Sequence, residues 1–360
     1  MNNIGNPKKT SLYNQHLKLS GKIIDFSGWL LPVQYKGIIV EHLHTREKNS
    51  IFDISHMGEF LIEGKNAESD LSIILTTDVT NMKTGTCRYG FILNENAGII
   101  DDTILYKFTP TRFMLVVNAS RTRIDYNWII DNISNETTVT DISDKTAKID
   151  LQGPLSRQTA SICFANINFN QLKHFYFTEI KWKGIPLTIS MTGYTGETGY
   201  ELFLPEDAAL ELWESLLSIG DVEPAGLGAR DSLRLEKGYS LYGHDLTDKI
   251  NPYEAGLGRF IKRESGFIGA AALNTFREKK QNRLLVPFIC EGRRSARDGF
   301  TIMNADKAIG RVTSGSFSPS LKRGIGLGMI EYEFAVEGKE LICTDGKIKI
   351  NATVTELPFV

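Results

Sequence analysis

The segment Ile99-Ile100-Asp101-Asp102-Thr103-Ile104-Leu105 places two adjacent carboxylates in an apolar run. In an extended strand successive side chains point to opposite faces, so only one of the pair serves a given face. Asp102 shares its face with Ile100 and Ile104. A carboxylate among apolar neighbours has its pKa raised unless donors compensate, which is the condition a proton-transfer group needs. Two solvated aspartates at a strand start would give the same pattern. A second segment, Met191 to Glu201, holds Gly193, Tyr194, Gly196, Gly199 and Tyr200. Glycines at that density let backbone approach a ligand closely. A carboxylate beside aromatic rings suits a flat heterocycle with a donor edge, which stacks on the rings and donates to the carboxylate. The plainer reading is a hairpin loop with Glu201 in water. A third segment, Ala225 to Tyr239, opens a helix carrying Arg230, Arg234 and Glu236, which also fit a same-helix ion-pair set. Its glycine pattern lacks the third glycine and preceding strand of a dinucleotide fingerprint.

The elements around Asp102 form an antiparallel meander. Arg88–Leu93, Ile99–Lys107 and Phe113–Asn118 read as strands, separated by turns at Asn94–Gly98 and Thr109–Thr111. A second hairpin centred on Pro110 pairs residues whose numbers sum to 220, which sets Asp102 opposite Asn118. The first hairpin brings Tyr89 beside Asp102, within one residue of register. A phenol, a carboxylate and an amide then line up across three strands. Alternatively, Tyr89 is a half-buried sheet aromatic and Asn118 caps the following helix. Helices are expected over 39–50, 120–133 (apolar stripe Ile124, Trp128, Ile129), 155–163, 206–218 (Leu210, Trp213, Leu217) and 227–237, the last stopping at Gly238. Strands are expected over 146–152, 186–191 and 199–204. The charged run Arg277–Arg283 is the best linker candidate, and short β-rich segments follow it.

A length of 360 residues suits two or three domains, and a net charge of −2 argues against an extended nucleic-acid footprint. Cys87, Cys163, Cys290 and Cys343 lie far apart without a Cys-x-x-Cys pair, so reduced thiols are expected. The six histidines show no ligand spacing with a carboxylate, and no metal is expected. No apolar run approaches the roughly 20 residues of a membrane span. Arg293, Arg294 and Arg297 form a basic cluster suited either to an anionic partner or to plain surface charge. The start of the chain has lysines but no arginine, which favours cytoplasm over an organelle matrix.

Taken in order, these segments resemble the glycine cleavage T-protein family. The runs are Asp25-Phe-Ser-Gly-Trp29-Leu-Leu-Pro32, Phe52-Asp53-Ile-Ser-His56-Met57-Gly-Glu59, Asn94 to Asp102, Val116-Val-Asn118 and Leu151-Gln-Gly-Pro154. They continue through Thr192 to Glu197, Gly228 to Glu236, Leu241-Tyr-Gly243, Thr313 to Ser320 and Leu357-Pro-Phe359. The resemblance implies an α+β fold of three domains in a cloverleaf around a central folate-binding hole, with a C-terminal β-barrel-like domain. The implied division is 1–60 plus 144–249 for a discontinuous folate-binding domain, 61–143 plus 250–279 for the second, and 280–360 for the third. It implies an aminomethyltransferase that uses tetrahydrofolate as co-substrate and the lipoylated H protein as partner, with no nucleic acid and no membrane. Residue by residue, it places the essential aspartate on Asp102, held by Asn118, with Met57, Tyr89, Val116 and Tyr239 lining the folate slot. Tyr194 and Glu201 would grip the pterin, and Arg230 belongs to the same site with no assigned partner. Arg259 departs from the tryptophan common at that position. A folate-dependent demethylase on the same fold, or a non-catalytic folate-binding module, are the competing readings.

Overall fold

Short strands rich in β-branched and aromatic residues, punctuated by turn residues, build the sheets, and the computed structural model describes residues 6–279 and 281–360. Residues 1–5, where the first expected domain begins, lie outside the described residues. So does Lys280, which falls in the expected linker and opens the expected third domain. The chain is mixed α and β and divides into two compact units. The first comprises 1–68, 81–88 and 104–231, and the second 69–80, 89–103 and 232–360.

In the first unit, Thr146–Gln152 is a central strand of a six-stranded sheet, between Gly199–Pro205 and Asn49–Asp53. Ala147, Ile149 and Leu151 point to one face, where Ala160 of helix Ser156–Cys163 and Leu212, Trp213 and Leu216 of helix Ala209–Leu217 close a core. A fully buried Leu or Ile side chain there contributes roughly 1.5–3 kcal/mol. Lys148, Asp150 and Gln152 point to the other face, which a second cluster of Tyr106, Met114, Val116, Phe177 and Phe203 also closes. Both faces of this strand are therefore buried, and its alternating lysine and aspartate are interior groups.

The expected meander forms, with strands Thr86–Leu93, Ile99–Thr109 and Arg112–Val117. Sheet order continues to Gly58–Gly64 and Thr137–Asp141. Pairing from Ile104↔Val116 to Lys107↔Phe113 keeps the expected sum, before a bulge at Thr109 shifts it by one. Helices at 38–47, 156–163 and 227–236 fall where the spacing placed them. Two helix faces do not. In helix Thr122–Asn132 the buried residues are Asp125 and Ile129, while Ile124 is 45% exposed. In helix Ala209–Leu217, Leu210 is 40% exposed and the buried stripe starts at Ala209.

The second unit ends in a closed six-stranded barrel built from strands between Arg283–Cys290 and Lys349–Val354. Closure removes the sheet edges that short β-strands otherwise leave open. Phe288, Ile302, Val312 and Cys343 fill its core. No helix among the described residues is long and apolar enough to cross a membrane.

Candidate functional site

Strand Ile99–Thr109 carries Asp101 and Asp102, both in the second unit, on opposite faces, as extended backbone requires. Asp101 is fully buried, whereas Asp102 is half-buried. Tyr89 donates its phenolic O–H to Asp102 Oδ2 at 3.0 Å, which is the neighbour relation the first hairpin predicted. The Tyr89 ring is itself fixed edge-on between Phe91, at 5.2 Å, and Phe260, at 4.9 Å. Ring packing on both sides leaves the phenol little rotational freedom, so it presents a pre-positioned donor. Tyr239 follows the turn at Gly238 and is half-buried, with its backbone N–H donating to the Arg234 carbonyl at 3.0 Å.

The first unit holds the other expected residues. Met57 packs against the cluster that contains Val116, and Val116 itself is buried. Asn118 is half-buried, and it does not cap the next helix: that helix starts at Thr122 with Arg121 in the cap position. Glu201 is interior rather than solvated. Its Oε2 accepts the Tyr106 O–H at 3.1 Å and lies 3.3 Å from Lys148 Nζ. Burial alone would push the Glu201 carboxyl up, but Lys148, Arg230 and a hydrogen bond from Thr192 outweigh it, so the group stays below its usual range. Arg230, whose partner the sequence left open, pairs with Asp150 at 2.5 Å and lies over the Tyr194 ring, 5.0 Å from its centroid. Burial raises Asp150 to about 6 despite that guanidinium. His56 is pushed down to about 3 by burial and by Arg230, so the imidazole is neutral.

Lys148, Tyr106 and Asp150 are the interior groups that sequence reasoning missed. Their signal lies in the register: Asp150 pairs with Glu201, and Lys148 with Phe203. Cross-strand neighbours on one face interact directly, so once Glu201 is assigned inward its partners follow. The glycine-rich loop also has a different cause from the expected one. A Cβ on Gly193 or Gly199 would lie 2.1 or 2.3 Å from the Gln152 side chain. The loop is wrapped on that amide, which donates to the Thr192 carbonyl and accepts from Thr195.

Arg234 and Glu236 do not form the expected same-helix ion-pair set. Arg234 pairs with Asp245 at 2.9 Å and donates to Ser314. Glu236 accepts from Ser318, from Ser320 Oγ and from the Ser320 backbone N–H. Asp245 in turn accepts from Leu241 N, Thr313 and Ser314. The buried Asp245 and Glu236 carboxylates thus tie the 241–245 and 313–320 segments to the helix that carries Arg234. Arg293, Arg294 and Arg297 are exposed around a groove of about 470 Å³. Among the described residues no group of three or more His, Cys, Asp or Glu could hold a metal ion.

The arrangement provides an accessible carboxylate with a fixed phenol, and separately an ionised, water-excluded carboxylate with a stacked guanidinium. Comparison with known proteins identifies the family. The GCVT N-terminal domain matches residues 12–265, and the glycine cleavage T-protein C-terminal barrel domain matches 283–360. The aminomethyltransferase of Halothermothrix orenii is 43% identical over 98% of this chain and 100% of its own length. That of Chlorobium chlorochromatii is 39% identical over 98% of each chain. The crystal structure of glycine cleavage system aminomethyltransferase T from Bartonella henselae superposes with a TM-score of 0.93 at 36% identity, covering 98% of both chains. These relatives favour the transferase over the demethylase and the binding-module readings. The chain belongs to the glycine cleavage T-protein family, whose members are tetrahydrofolate-dependent aminomethyltransferases.

Proposed function

We propose that this chain moves the aminomethyl carbon from the lipoyl arm of the glycine cleavage H protein to tetrahydrofolate. Folate N5 attacks that carbon, ammonia leaves, and ring closure on N10 releases the arm as its dithiol with 5,10-methylenetetrahydrofolate as product. The two N–H protons of folate pass to ammonia and to the released sulfur, so the step needs no oxidant. It needs no enzyme nucleophile either; it needs orientation, proton handling and exclusion of water.

The observation that carries this reading is the half-buried Asp102 carboxylate fixed by the Tyr89 phenol. Asp102 hydrogen-bonds the reacting folate nitrogens and manages their proton, and Asn118 holds the aspartate in place. Met57, Tyr89, Val116 and Tyr239 line the folate slot. Tyr194 and Glu201 take the pterin, with the ionised Glu201 accepting from its donor edge, while Arg230 balances charge beside Tyr194. The division of the chain into three domains and a cytoplasmic location belong to the same proposal.

The test is ammonia release from H protein carrying an aminomethylated lipoyl arm, with and without tetrahydrofolate. Wild type should release ammonia rapidly only with folate. Asp102→Asn should remain folded, bind folate, and turn over roughly 100-fold or more slowly, the range for loss of a general acid–base group. Wild-type protein that binds folate yet leaves the intermediate untouched would overturn the transfer. An Asp102→Asn variant with wild-type turnover would overturn the role of the aspartate.

A further inference from the structure

Within the second unit, a pocket of about 160 Å³ is lined by Lys237, Gly238, Arg259, Leu285, Leu327 and Leu357, with neighbouring residues closing it. Leucines line one part of it, polar groups line the rest, and its charged groups are the two cations. Lys237 Nζ already donates to the main-chain oxygen of Val360 at 3.0 Å. Arg259 is exposed, and its guanidinium lies over the Phe260 ring, 4.9 Å from the centroid. No carboxylate among the described residues pairs with it. Most other arginines of the chain are engaged by acids or carbonyls, as Arg230, Arg234, Arg263 and Arg283 are.

The stacking has a consequence for binding. A guanidinium held flat on an aromatic ring keeps its donor fork pre-organised, so less conformational entropy is lost when it meets a carboxylate. Phe260 is also the ring that supports Tyr89, and Tyr89 donates to Asp102. Arg259 is therefore linked through two packed rings to the carboxylate assigned to proton handling. A ligand that places its reacting nitrogens at Asp102 and carries an acid at its far end could reach both. Tetrahydrofolate has that layout: a pterin, an apolar aromatic linker and a glutamyl tail with free carboxylates. The leucine walls suit the linker, and the cation suits the tail.

We propose that Arg259 is a specificity-determining residue that takes a carboxylate of the glutamyl tail of tetrahydrofolate at this pocket. The inference rests on the folate reading above and adds the part of the co-substrate that this residue selects.

The test measures dissociation constants of the full chain for tetrahydropteroate, which lacks the tail, for tetrahydrofolate and for its triglutamate. Wild type, Arg259→Gln and Arg259→Lys are compared at low salt and at about 0.5 M salt. Arg259→Gln should weaken tetrahydrofolate and the triglutamate by about five- to tenfold, the scale of one charge-assisted contact near the surface, and leave tetrahydropteroate unchanged. Arg259→Lys should keep part of the preference, and high salt should erase it in wild type. Equal affinities of Arg259→Gln and wild type for all three ligands would overturn the inference while leaving the folate reading intact. So would an equal loss for all three. Wild type binding none of the three would overturn both.

Discussion

Replacing Lys148 by methionine isolates the charge that holds Glu201 ionised. The pair spans 3.3 Å with side chains only 2% and 4% exposed. The lysine stem also covers the Phe203 ring, with Nζ 5.0 Å from its centroid, and methionine keeps much of that apolar volume. Removing one member of a buried pair leaves an uncompensated carboxylate, at a cost of about 3–5 kcal/mol. The pH dependence gives this cost its signature. In wild type the Glu201 carboxyl lies below its ordinary range, because Lys148 and Arg230 outweigh burial. Its contribution is present above the unfolded-state value and is lost only as pH falls through the depressed folded one. Without Lys148 burial dominates, and the folded value moves above the unfolded one. The penalty then applies above the raised value and is relieved below it by protonation. Lys148 also lowers buried Glu59 and Asp150, the latter standing at about 6 with the lysine present, so all three carboxyls shift the same way. The destabilisation of Lys148→Met should therefore be largest near about pH 8–9 and shrink toward about pH 5, in urea unfolding with the slope checked for constancy. Adding Glu201→Gln should recover much of the loss at high pH. Equal destabilisation across that range would refute the electrostatic account and leave only a packing defect.

Two further variants address groups outside the proposed chemistry. Glu59 is fully buried, neither carboxyl oxygen has a hydrogen-bond partner among the described residues, and burial raises its pKa well above the usual value. A raised carboxyl contributes stability that is fully present below its unfolded value and lost as pH rises through the folded one. Glu59→Gln should thus flatten the alkaline loss of thermal stability, and a variant whose melting temperature falls with pH as steeply as wild type contradicts this. Asp245 is fully buried and accepts from Arg234, Leu241 N, Thr313 and Ser314 at 2.6–2.9 Å. Asp245→Ala strands a buried guanidinium and three donors and should cost about 3–5 kcal/mol in denaturant unfolding, whereas a loss below about 1 kcal/mol would mean that water replaces the carboxylate there.

What could be read from the sequence was local. The meander followed from turn residues at Asn94–Gly98 and around Pro110, and the strand register between them held from Ile104 to Lys107. Turn chemistry fixes register within a hairpin, so Tyr89 beside Asp102 was within reach. Helix faces were less legible, because three apolar residues in a short helix fit a stripe in more than one rotation. Ile124 and Leu210 both proved to be on the outside. Partners distant in sequence carry no local signal at all. Arg230 finds Asp150 80 residues away, and Glu236 finds Ser318 82 residues away. The same limit hid Lys148: an alternating Lys-Ile-Asp-Leu strand reads as half in water, and only burial by a second apolar cluster makes both its faces interior.

Burial, more than motif density, separates residues that can meet a ligand from residues that hold the frame. The quoted runs contain many acids of similar appearance. Asp245, Glu236 and Asp101 are fully buried, and the first two have their oxygens filled by protein donors. A carboxylate closed off in this way cannot exchange a donor with substrate without breaking the fold. Asp102 differs from its neighbour Asp101 by one residue of strand pleat, and that step alone leaves it half open with a rigid phenol at 3.0 Å. Slipping the strand by one residue would exchange the two aspartates and bury the reachable one. The register of a single hairpin, set by the turns that flank it, therefore decides which of the two adjacent aspartates is reachable.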